Sequence, residues 1–200
     1  MRTTLFSFIL ILSLFAIQVH AQDVSGQLNT ATASYTSGDL ENARFSLQEA
    51  LNGVNQALGK EILDLLPGTL GGMNAQLDAD NVTGTNMGFA GLYVNRDYQK
   101  DTIRDASLEI ISDSPMLATV NSLLTMSTMF SSDPNQKRIK IGSYKALMTK
   151  SESNDIISYD IQMPFGNSMM TFKTNGIADE AEVTGLVNSL PITDIVRLAQ

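Results

Sequence analysis

Three chemically important side chains are missing or nearly so. The chain of 200 residues has no cysteine and no tryptophan, and its single histidine, His20, lies in the apolar amino-terminal segment. Without thiols there is no disulfide, no cysteine nucleophile, no zinc site built on cysteine and no lipid anchor of the lipobox type. Once the amino-terminal segment is removed there is no imidazole either, which excludes Ser-His-Asp and Cys-His catalysis and haem ligation by histidine. Aromatic residues make up only 6% of the chain, so sugar-stacking platforms are poorly supplied. The sequence also lacks an Asp-Thr-Gly protease signature, a Ser-x-x-Lys nucleophile motif and a Walker-type phosphate loop.

What is present begins with an export signal over residues 1–21. Arg2 gives the positive start, Leu5 to Val19 form an apolar run broken only by Ser7, Ser13 and Gln18, and Val19-His20-Ala21 ends it with small residues at the cleavage positions. The run is short for a membrane span and no comparable one follows, so no integral membrane segment is expected after its removal. The expected location is periplasmic or extracellular. Loss of Arg2 leaves 12 basic residues against 21 acidic ones, a net charge of −9. Such a chain repels phosphate backbones, and nucleic acid is not an expected partner.

Residues 22–66 read as an antiparallel helical hairpin. Val24, Leu28, Ala31 and Tyr35 mark the first helix, and Ser37-Gly38 makes the turn. Asp39 caps the second, in which Leu40, Ala43, Leu47, Leu51, Val54, Leu58, Ile62 and Leu65 recur every three or four positions until Pro67-Gly68. This stripe is expected to be covered, by the rest of the protein or by a second subunit. Ala31, Tyr35, Gly38-Asp39, Ala43, Leu47 and Ala50-Leu51 resemble the middle of a tetratricopeptide repeat. Arrays of that family repeat at about 34 residues, and no second copy follows.

Residues 67–86, rich in Gly, Asn and Asp, read as a linker. Asp78 and Asp80 invite a calcium reading, but Val82 and Thr83 stand where the EF-hand pattern needs an oxygen ligand and a glycine. The alternative is a polar turn. Asn81-Val82-Thr83 is a formal glycosylation sequon.

Residues 87–200 read as a sheet domain. Alternation predicts a strand from Met87 to Val94, a turn around Asp97 and Lys100-Asp101, and a second strand through Ala106, Leu108 and Ile110. Ser114-Pro115 opens a helix with Leu117, Val120, Leu124 and Met129 inward. Strands are expected on both sides of Gly142, from Ile157 to Met163, and after a Gly166-Asn167 turn through Met170 and Phe172. A helix through Val183, Leu186, Val187 and Leu190 follows, and Pro191 ends it or opens the next. The fold class is α+β with a largely antiparallel sheet and helices packed on it. The run from Phe165 to Val183 resembles the final hairpin and closing helix of the PsbP-like α/β/α sandwiches. That resemblance implies an accessory or partner-binding role, with no catalytic residues.

Lys137, Arg138, Lys140 and Lys145 form a candidate docking patch for an acidic partner, with Lys150 beside them. The alternative is an edge strand guarded by charge. Met116, Met129, Met163 and Phe172 form a candidate apolar groove, the alternative being core filling. Asp97, Asp101, Asp105 and Glu109 are spaced by four, which aligns carboxylates only on a helix, whereas the segment from 102 reads as strand. No enzyme and no cofactor are expected. The expected function is that of an exported accessory protein binding a partner, or itself, through the hairpin. The alternative is a carrier holding an apolar small molecule or lipid between sheet and helices.

Overall fold

A computed structural model describes residues 23–83, 91–125 and 133–200. The expected export signal therefore lies outside the described residues, as do Met87 and Phe89 of the expected first strand. The fold is α+β: among the described residues it has two helices, a nine-stranded sheet in which every pairing is antiparallel, and further helices packed on it.

The hairpin forms where capping residues dictate. Asp23 accepts a hydrogen bond from the Gly26 amide at 2.9 Å and opens α1, Val24–Ser37. Gly38 ends it at φ 83°, a left-handed conformation that glycine adopts without a Cβ penalty. Asp39 then accepts from the Asn42 amide at 3.1 Å and opens α2, Leu40–Leu65. Between the helices lie small residues, with Ala31 and Ser34 of α1 and Ala43, Ser46, Ala50 and Gly53 of α2 all buried. The Asn42 side chain also donates to Ser34 Oγ across the join at 2.8 Å.

The strands are β1 (Thr69–Leu70), β2 (Met73–Ala75), β3 (Asn81–Thr83), β4 (Tyr93–Gln99), β5 (Asp105–Ser112), β6 (Gln136–Ile141), β7 (Tyr144–Ser153), β8 (Ile156–Phe165) and β9 (Ser168–Asn175). Their order is β1-β2-β4-β5-β9-β8-β7-β6, with β3 also on β4. The last four strands are joined by two-residue turns whose positive φ values, at Gly142, at Asn154 and Asp155, and at Gly166, suit the twist of tight hairpins. Residues 69–83 correct the expected linker. Three short strands and a 3₁₀ turn at Leu77–Ala79 lie there, paired to each other or to β4. Of the strand expected from 87 to 94, residues 87–90 lie outside the described residues; among the described ones β4 begins at Tyr93 and carries Asp97 within it, and the turn comes after Gln99.

Side chains alternate across the sheet. One face holds Val94, Tyr98, Leu108, Ile110, Ile161, Met170 and Phe172, packed with Ile62, Leu63 and Leu66 at the end of α2. Helices α4 (Glu180–Asn188) and α5 (Ile192–Leu198) complete this core through Val183, Val187, Ile195 and Val196. Gly59 permits the approach of α2, since a Cβ there would stand 2.4 Å from Val82 Cγ1. On the other face α3 (Leu117–Thr125) places Val120 and Leu124 on Leu147 and Met169. Ser114 Oγ accepts from the Met116 amide ahead of it, so α3 starts two residues later than the Ser-Pro pair suggests.

Candidate functional site

The basic residues do not form one patch. Residues directly opposite on antiparallel strands share a face. Lys137 faces Met148, on the core side, whereas Arg138 faces Leu147 and Lys140 faces Lys145 on the side of α3. Lys137 is ion-paired with Glu180 at the start of α4. Only Arg138, Lys140 and Lys145 share a face, and β6 is the outermost strand at its end of the sheet. This placement is that of charges guarding an edge.

The candidate groove does not assemble either. Met163 and Phe172 are fully buried in the core beneath α2, α4 and α5. Met116 is 48% exposed beside the start of α3, on the opposite side of the sheet, and Met129 lies outside the described residues. An open depression of about 460 Å³ lies elsewhere, over Ala75 to Ala79. Methionine and phenylalanine fill space here that a cavity would need.

The carboxylates have structural partners. Asp80 receives both Nε, at 2.8 Å, and Nη2 of Arg96, a residue of β4 that is only 6% exposed and points into the core. The same guanidinium donates through Nη1 to the carbonyls of Leu63 at 2.8 Å and Leu66 at 3.2 Å. It thus adds a donor at the carboxy-terminal end of α2, where the Leu63 carbonyl also accepts from the Leu66 amide at 3.1 Å and a positive charge suits the helix dipole. With Asp80 so engaged and Asp78 exposed, the calcium reading loses its ligand pair. Among the described residues no three His, Cys, Asp or Glu are placed to hold a metal. Of the four acids spaced by four, Asp97 lies in β4, Asp105 and Glu109 in β5, and Asp101 in the turn between. Asp101 accepts from the amides of Arg104 and Ile103, which hold its carboxyl below the usual range.

Polar residues line part of the sheet beside α3. Tyr93 donates to Glu109 Oε2 at 3.2 Å, and its hydroxyl is pushed up to about 12 by burial and by that carboxylate. Asp160 stands opposite Lys173, yet its Oδ1 is buried without a hydrogen-bond partner. Burial pushes Asp160 above the ordinary carboxylate range, with Lys173 opposing and Glu109 adding to the shift. A carboxyl whose pKa is raised by folding weakens the fold when ionised: the cost is full above the folded pKa and absent below the unfolded one. Asp160→Asn is therefore expected to melt higher than the parent at neutral pH. The gap should close as pH falls from the folded pKa to the unfolded one. Thermal melts across the acid range check this, and a gap independent of pH would exclude the charge as its cause.

The strongest surface feature is on the hairpin. Leu40, Leu47, Leu51 and Val54, expected to be covered, are 42–62% exposed, and Leu28 and Tyr35 of α1 are exposed too. The reason is which face α1 takes. It packs on the row of small residues, Ala43, Ser46, Ala50 and Gly53, and leaves the leucine row beside it open. Helical periodicity puts Leu28 and Tyr35 on the same flank of the hairpin as that row. Six large apolar side chains thus make one strip, with exposed Arg44 beside it, larger than scattered surface leucines. No helix among the described residues is long and apolar enough to cross a membrane.

No protein-family model matches the chain, and no curated protein sequence matches it. A protein from Bacteroides thetaiotaomicron VPI-5482, known from a crystal structure at 1.50 Å, is similar at a TM-score of 0.33 and 15% identity. The match covers 56% of this chain and 41% of that one, a likeness too slight to build on.

Proposed function

We propose that this is a non-catalytic, exported accessory protein that works by binding a protein helix along the open flank of its hairpin. The carrying observation is the exposed apolar strip running from Leu40 to Val54 with Leu28 and Tyr35 beside it. Export follows from the reading of residues 1–21, and the accessory role agrees with the PsbP-like resemblance of the carboxy-terminal part. The sheet domain is the scaffold, with α2 anchored to it by the Arg96–Asp80 pair. The carrier alternative has lost its groove, since Met163 and Phe172 are spent on the core.

Leu47→Asp separates a binding surface from a packed one. Exposed substitutions usually change stability by no more than about 0.5 kcal/mol, so the variant should melt as the parent does. A photo-crosslinker at Gln48, beside the strip, should give a discrete protein adduct in the host's envelope or secreted fraction, and Leu47→Asp should abolish it. Unfolding of Leu47→Asp, or no adduct of any kind from the parent, would overturn the reading.

A further inference from the structure

We propose that the helix bound to this flank is α2 of a second copy of the chain, running antiparallel to the first. The inference rests on the reading of the flank as a docking surface and names its occupant. Along α2 the open row follows the alternating three- and four-residue spacing of a coiled-coil seam. Leu40, Leu47, Val54 and Glu61 occupy one seam position, and Arg44, Leu51, Leu58 and Leu65 the other. Both charged members are exposed, as are Leu40, Leu47, Leu51, Val54 and Leu65, while Leu58 is half-buried where α2 meets the sheet.

Charge decides the direction. In an antiparallel pair centred between Leu51 and Val54, Leu40 meets Leu65 of the second copy, Leu47 meets Leu58, Leu51 meets Val54 and Arg44 meets Glu61. Every layer then joins one seam position to the other, and the two charged layers carry opposite signs. In a parallel, in-register pair Arg44 would face Arg44 and Glu61 would face Glu61, an arrangement that like-charge repulsion penalises. A sequence whose charged seam residues complement each other only after a two-fold rotation is suited to an isologous dimer.

Geometry and area agree with this. The face given to α1 lies roughly a quarter-turn around α2 from the seam, so that two hairpins join as an antiparallel four-helix bundle. Leu28 and Tyr35 then extend the contact at its edges. The seven exposed apolar side chains, Leu65 included, present on the order of 600 Å² or a little more. With the stems of Arg44 and Glu61 this approaches the roughly 800 Å² per partner of a stable interface.

Sedimentation of the purified protein and its variants tests this. A dimer is expected at micromolar concentration. Arg44→Glu and Glu61→Arg should each weaken it by about tenfold or more, because each puts like charges into two layers. The double variant Arg44→Glu/Glu61→Arg should restore it, with all variants keeping the parent's circular dichroism. The chain has no cysteine, so Leu40→Cys and Leu65→Cys can be mixed and oxidised; a disulfide between the two variants, and not within either alone, is the antiparallel result. A monomer at all concentrations overturns the dimer, and so does a dimer indifferent to both charge changes. If that monomer still gives the Gln48 adduct with a different protein, only the dimer falls; if the adduct is also missing, the docking reading falls with it.

Discussion

Arg96→Met is expected to destabilise the protein by about 3–5 kcal/mol, the usual cost of removing one partner from a buried ion pair. Methionine keeps much of the apolar stem and removes every donor. Asp80 is then left without its cation near the core, and the Leu63 and Leu66 carbonyls lose their shared donor. In a protein of this size each kcal/mol moves the melting temperature by roughly 2–4 °C, so the drop should be on the order of 10 °C. Pairing the change with Asp80→Asn should recover part of the loss, because the orphaned charge goes too. Urea titrations of the three variants check both statements. A loss below about 1 kcal/mol for Arg96→Met would mean that the pair behaves as an exposed one.

Phe172→Ala has the other large expected effect, about 3–5 kcal/mol. Phe172 is fully buried at the middle of β9, between Leu108 on β5 and Ile161 on β8. Truncating it removes a whole ring from a filled layer, and the neighbouring strands are fixed by hydrogen bonds on both sides, so they cannot close the void. Equilibrium denaturation measures the loss. A side chain lining a ligand cavity behaves otherwise, since its removal enlarges a space that already exists. A cost near zero would therefore revive the carrier reading.

How far the sequence foretold this structure depended on how much of each element's environment is local. The hairpin was legible because Asp39 and Gly38 act within one turn of the chain, by capping and by a left-handed φ. The strand through Ile157, Tyr159, Ile161 and Met163 was legible because a two-sided environment imprints period two. Strands β1, β2 and β3, of two or three residues each, are too short to show any period, and their glycines read as a loop. Which face of α2 receives α1 was hidden in the sequence for a tertiary reason. Hydrophobicity favours the leucine row, but small residues allow closer helix contact, and α1 took the row of Ala43, Ala50 and Gly53.

The candidate sites were less legible than the fold. Strand alternation put Arg138 and Lys140 on one face, and β6 proved to be an edge. Arg96 gave no warning, since a charged residue in the middle of Tyr93–Gln99 reads as the wet side of a strand. Only a partner 16 residues upstream and two carbonyls some 30 residues away make its burial tolerable. The one local hint is the even alternation of Val94, Arg96 and Tyr98, which sets Arg96 in phase with two buried neighbours.

That placement of Arg96 bears on where the protein can work. Exported proteins often staple a helix to a sheet with a disulfide, whose survival depends on the redox poise of its surroundings. Here the staple between α2 and the sheet is a guanidinium gripping a carboxylate and two carbonyls. Thiol reductants and oxidants have nothing to act on at that join, so the hairpin keeps its seat in a reducing compartment and an oxidising one alike.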